Sequence, residues 1–154
     1  MAALNSDQYG NTVPVPGNLG GITPLYGSIE LSAAQSASDT VNLFTMPKGF
    51  TPLFGFVVGD DIDTGTETYD IDIGTSSDAD YFGNLGVITG DAVTGIKPET
   101  AIWMPLGGLL LTQKPTEFTA DTDVIATVNA AANAGGTGTL TIILCGLYRD
   151  PRVS

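Results

Sequence analysis

From Pro24 onward the apolar positions recur with a period of two, the repeat of a half-buried β-strand, and a 3.6-residue helical stripe is absent. In the stretch 25–32, Leu25, Gly27, Ile29 and Leu31 share one face while Tyr26, Ser28, Glu30 and Ser32 share the other. Val41 to Met46 and Leu53 to Val58 flank a turn at Pro47-Lys48-Gly49, which predicts a hairpin. Its second strand carries apolar residues on both faces, Leu53 and Val57 against Phe54, Phe56 and Val58, as an inner strand would. Thr68 to Ile73 alternates again, with Tyr69, Ile71 and Ile73 opposite Asp70 and Asp72. A helical turn is expected over 77–82, capped by Ser77 or Asp78, and the Gly-rich stretch 83–98 reads as loop with a short strand at 87–89.

Trp103 to Thr112 reads as a strand kinked at Gly107 and Gly108, glycines that would let another backbone approach closely. Val124, Ala126, Val128 and Ala130 line one face of the next strand. A turn around Asn133, Gly135 and Gly136 leads to a long last strand with Leu140, Ile142, Leu144 and Tyr148 on one side. Seven or eight strands with no helix longer than a turn or two predict an all-β fold, a single β-sandwich or jelly-roll domain over residues 24–150. Residues 151–154 make a short C-terminal tail.

Residues 1–23 differ from the rest. Pro14, Pro16, Gly17, Gly20 and Gly21 crowd a segment without periodicity, which reads as an extended N-terminal arm. Fully extended it would reach roughly 75 Å at ~3.3 Å per residue. A globule of this chain length has a radius of gyration of only ~15 Å. Its apolar Leu4, Tyr9, Val13, Val15, Leu19 and Ile22 are the candidate partner contacts, because local periodicity offers them no internal burial. A disordered tail, or a first strand folded back on its own domain, are the alternatives.

Composition narrows the chemistry. The 154 residues hold 5 Lys and Arg against 17 Asp and Glu, a formal charge of −12, which is the wrong sign for nucleic acid or an anionic membrane. The chain has no His, so Ser-His-Asp and Cys-His catalysis and imidazole metal sites are excluded. One cysteine, Cys145, allows no internal disulfide, and its apolar strand suits an inert thiol. Trp103 belongs to the core or to an interface. Apolar runs fall short of a membrane span, and the absence of Lys or Arg before Lys48 removes the basic region of a secretory signal. Charged residues are 14% of the chain where about a quarter is usual, so part of the surface is expected to be covered.

Eight acids fall between Asp60 and Asp80, and no Lys or Arg occurs between Lys48 and Lys97. Such oxygen density suits Ca2+ near Asp60, Asp61 and Asp63, although the spacing is not that of an EF-hand. A solvated acidic rim is the simpler reading. Asp63-Thr64-Gly65 resembles the aspartic-protease signature, in which two carboxylates from paired chains share a proton; the residues around it depart from that pattern. A glycosidase pair of acids has no aromatic sugar platform beside it.

Three phrases carry a family resemblance: Tyr69-Asp-Ile-Asp-Ile-Gly-Thr-Ser-Ser-Asp-Ala-Asp-Tyr-Phe82, Ala120-Asp-Thr-Asp-Val-Ile-Ala-Thr-Val128 and Gly138-Thr-Leu-Thr-Ile-Ile-Leu144. Over roughly half the chain, from Tyr69 to Tyr148, it resembles the small structural proteins of tailed bacteriophages, in particular capsid decoration or cement proteins. The resemblance implies a non-enzymatic virion protein without cofactor or metal, on the outer capsid surface. Its implied partners are the major capsid protein and other copies of itself, as a homotrimer. Head fibres and receptor- or glycan-binding modules are the alternative roles.

Overall fold

A computed structural model describes residues 3–5, 21–60, 62–63, 66, 68–87 and 101–149. Among the described residues nine strands and one helical turn follow in the order β1 (Ala3–Asn5), β2 (Ile22–Leu31), β3 (Thr40–Met46), β4 (Phe50–Asp60), β5 (Asp70–Thr75), β6 (Asp78–Val87), β7 (Ala101–Pro105), α1 (Leu109–Thr112), β8 (Thr122–Ala130) and β9 (Gly138–Tyr148). They form two sheets, β1-β3-β8-β5-β6 and β2-β9-β4-β7, antiparallel apart from the β1–β3 pair. The all-β expectation holds.

The period-two faces meet between the sheets. From the first sheet come Val41, Phe44, Ile71, Ile73, Val124, Ala126 and Val128; from the second come Leu25, Leu31, Val57, Leu140, Ile142 and Leu144, all buried. Close contact between β2 and β3 requires Gly27, where an added Cβ would lie 2.5 Å from the Leu43 carbonyl oxygen. A side chain there would push the layers apart.

Three local expectations are corrected. β3 and β4 do not pair: the turn at Pro47-Lys48-Gly49 is a corner that carries the chain from one sheet to the other. Asp121 holds it by accepting from the Lys48 amide at 2.8 Å, while Phe118 exchanges backbone bonds with Gly49 and Phe50. The expected inner position of β4 is nonetheless correct, since β9 and β7 flank it. The helical turn expected over 77–82 is instead strand β6, joined to β5 by a tight turn in which the Thr75 and Ser77 hydroxyls lie 3.1 Å apart. Finally, the strand expected over 103–112 ends at Pro105 and a helical turn follows. Gly108 has φ 58, and its Cα faces the β6 backbone so closely that a Cβ would stand 2.7 Å from the oxygens of Asp80 and Tyr81. The close backbone approach expected at these glycines is therefore present, but it ends the strand.

Of the candidate arm contacts, Leu4 lies in β1 with its backbone in register with Val41, and Ile22 opens β2 opposite Leu147. Tyr9, Val13, Val15 and Leu19 lie outside the described residues, as do Asp61, Thr64, Gly65, Glu67 and the tail 151–154.

Candidate functional site

The two sheets have unlike outer faces. On the first, Asn42, Thr45, Asp70, Asp72, Asp123, Thr127 and Asn129 alternate with the core residues, so this side is polar and acidic. Some of its groups are tied across strands, Thr45 Oγ1 donating to Asp123 at 2.6 Å and the Asn129 amide to Asp70 at 3.3 Å, while Asp72 Oδ1 is buried without a hydrogen-bond partner among the described residues. Water suits such a face.

The second sheet is apolar on its outer side as well. The register sets Ile22 beside Leu147, Pro24 beside Cys145 and Phe54, Tyr26 beside Ile143, Phe56 and Pro105, and Ser28 beside Thr141 and Val58. Among these, Ile22 is 59% exposed, Tyr26 49%, Phe54 42% and Leu147 40%. Phe54 and Phe56, two residues apart on β4, meet edge to face with ring centroids 6.1 Å apart. The two hydroxyls in the patch, Ser28 and Thr141, satisfy each other at 2.8 Å. Charge lies at the two ends: Glu30 accepts from the Thr139 hydroxyl and Asp60 from the Thr139 amide, both at 2.8 Å, and at the opposite end exposed Arg149 follows just past Leu147. The sequence signal for this face was the two-sided apolar pattern of β4. It reflects a strand buried on one face and exposed on the other.

Chemically the face can exclude water against another surface and can do little else. Cys145 is half-buried in it, and burial pushes its thiol pKa up, so the reactive thiolate is disfavoured.

Asp63 has a different role from either one considered for it above. Only 2% exposed, it accepts hydrogen bonds from the backbone amides of Thr68 (2.6 Å), Tyr69 (3.1 Å), Asn133 (3.1 Å) and Ala134 (3.1 Å), with the Thr68 hydroxyl at 3.3 Å. Burial raises its pKa, but the amides of Thr68, Ala134, Asn133 and Tyr69 together outweigh burial and hold the carboxyl well below the usual range. A carboxylate so enclosed has no oxygen to offer a catalytic water, a shared proton or Ca2+. It is a strut joining the acidic loop to the β8–β9 turn, reinforced by the Asp63–Gly135 bridge and the Gly136 amide on the Ile62 carbonyl at 2.7 Å. The other described acids of the 60–80 stretch do not gather around it: Asp60 ends β4, Asp70 and Asp72 lie on β5, and Asp78 and Asp80 on β6 share a side-chain hydrogen bond that raises the Asp78 pKa. Among the described residues no three acidic or sulfur-bearing side chains converge as a metal site.

No family model matches the sequence, and no curated protein matches it. Solved structures do. A chain from the "Capsid of Ralstonia phage GP4" is 24% identical with a TM-score of 0.70, the alignment covering 97% of this chain and 99% of that one. A chain of the "Cyanophage Pam1 capsid asymmetric unit" is 21% identical with a TM-score of 0.67, over 97% and 100%. A chain of the "Acidic stable capsid structure of Helicobacter pylori bacteriophage KHP30" is 16% identical with a TM-score of 0.53, over 82% and 87%. The likeness is one of fold. In the first two it covers almost the whole of both chains.

Proposed function

We propose that the chain is a non-enzymatic structural protein of a phage virion that binds the outside of the capsid and stabilises it by bridging capsid subunits. The observation that carries this reading is the end-to-end likeness to chains from two phage capsids, each matched over almost its whole length. The apolar outer face of the β2-β9-β4-β7 sheet supports it independently, because a surface of this kind is built to be covered. In this reading the chain self-associates as a homotrimer. Leu4, Tyr9, Val13, Val15, Leu19 and Ile22 contact the major capsid protein, β1 staying on the domain's own sheet while the rest of the segment 1–23 carries the contact across seams. Several contacts per copy make detachment a joint event, so modest individual affinities suffice.

The test uses phage heads assembled without this protein. Added full-length chain should co-sediment with the heads, appear as density on their outer surface and raise the temperature at which they rupture. A chain lacking residues 1–20 should stay folded and bind more weakly. Heads that stay bare at saturating protein, or density confined to the interior, overturn the reading; unchanged occupancy by the shortened chain removes the segment from the mechanism.

A further inference from the structure

We infer that a second copy of this chain covers the outer face of the β2-β9-β4-β7 sheet, packing on Tyr26, Phe54, Ile143 and Leu147 and enclosing Cys145. The inference rests on the self-association within the reading above and names the surface through which the copies meet.

Charge selects the occupant. At −12 the chain repels its own copies over most approaches, and the outer face of the first sheet, with Asp70, Asp72 and Asp123, is closed to self-contact at ordinary ionic strength. The second sheet's outer face has no charged residue among Ile22, Pro24, Tyr26, Ser28, Phe54, Val58, Ile143, Cys145 and Leu147. Glu30 and Asp60 lie about 14 Å along the strands from the Tyr26 row at ~3.4 Å per residue, beyond the ~8 Å screening length of physiological salt. Like-charged copies therefore meet here without opposing carboxylates at the centre. A foreign partner shaped to hold so acidic a chain would bring basic groups, and this patch gives them nothing to pair with.

Area and polarity agree. Tyr26, Phe54 and Leu147, 49%, 42% and 40% exposed, present on the order of 250 Å2, taking ~200 Å2 for a large side chain. Pro24, Pro105, Phe56, Val58, Ile143 and Cys145 extend the patch toward the ~800 Å2 that each partner gives to a standard interface. β9 and β4 are bonded on both edges, and Ser28 and Thr141 satisfy each other, so covering the centre leaves few polar groups unmet.

The experiment is done on the full-length chain in solution, with Cys145 as its own reporter, since it is the only thiol. Light scattering from about 1 to about 100 µM spans the dissociation constants of ordinary self-association. It should give a multiple of the monomer mass, three copies for the homotrimer. Maleimide modification of Cys145 should slow at least tenfold from the dilute to the concentrated end. Phe54→Asp should shift the mass to monomer and restore the fast modification rate. Tyr26→Ser is the second variant should Phe54→Asp lose its circular dichroism. A parent that stays monomeric, or an oligomer whose mass and Cys145 rate ignore both variants, overturns the inference. A monomer whose Cys145 is protected only on phage heads also overturns it and assigns the face to the shell. Bare heads beside an intact, Phe54-dependent oligomer would sink the capsid reading and leave this one standing.

Discussion

Replacing Asp63 by Asn removes one charge and almost no volume, so it isolates what the carboxylate does. The asparagine retains one acceptor oxygen and turns its NH2 toward either the Thr68 and Tyr69 amides or those of Asn133 and Ala134. Two buried amides then face a donor, at about 1–3 kcal/mol each, or about 2–6 kcal/mol in total. For a domain of this size that lowers the melting temperature by about 5–20 °C. The pH dependence carries the sharper signature. Because the folded carboxyl ionises below its ordinary value of 3.8, its contribution is complete above that value and is lost as the pH falls from there toward the folded pKa. Urea melts of both chains should therefore show a large gap at pH 7 that narrows steadily below about pH 4. A gap under about 1 kcal/mol at pH 7, or one that stays constant into acid, would refute the strut.

Tyr69 gives the opposite limb. Burial, then the negative charge of Asp39, pushes its hydroxyl up to about 12. With the folded pKa raised above its ordinary 10.0, stability should be full below pH 10 and decline above it, and Tyr69→Phe should flatten that alkaline decline in a pH-resolved melt. The same variant loses the hydroxyl's bond to Gln35 and should cost about 1 kcal/mol at neutral pH. Gly27→Ala puts a methyl 2.5 Å from the Leu43 carbonyl oxygen and should destabilise by about 1–3 kcal/mol in denaturant melts. A neutral Gly27→Ala would mean that the sheets can separate there without cost.

Much of the fold was legible because a half-buried strand writes its two faces in alternation. Leu25 and Leu31, Ile71 and Ile73, Val124 to Val128 and Leu140 to Leu144 are buried as the pattern required. What failed was partnership. Val41–Met46 and Leu53–Val58, with a turn between them, looked like a hairpin, yet each strand pairs elsewhere, because pairing follows from which surfaces must be buried together and not from proximity in the chain. The turn expected over 77–82 failed for a related reason: a short polar run is cheap as a helical turn in isolation, and the edge of β5 offered it strand pairing instead, interrupted by two register shifts.

The function-bearing features divide in the same way. Sequence alone determined the absence of histidine chemistry, the strong negative charge and the all-β character, since these follow from residue types and their period. Tertiary structure decided that Asp63 is a strut, because two of its donors stand 70 and 71 residues away and come within reach only when the β8–β9 turn folds over the loop. It also decided that Phe54, Tyr26 and Leu147 form one exposed apolar patch. Apolar residues on both faces of a strand say only that both are fit for burial; the layers packed above and below decide which face stays open, and among the described residues no further layer lies over the outer face of the second sheet.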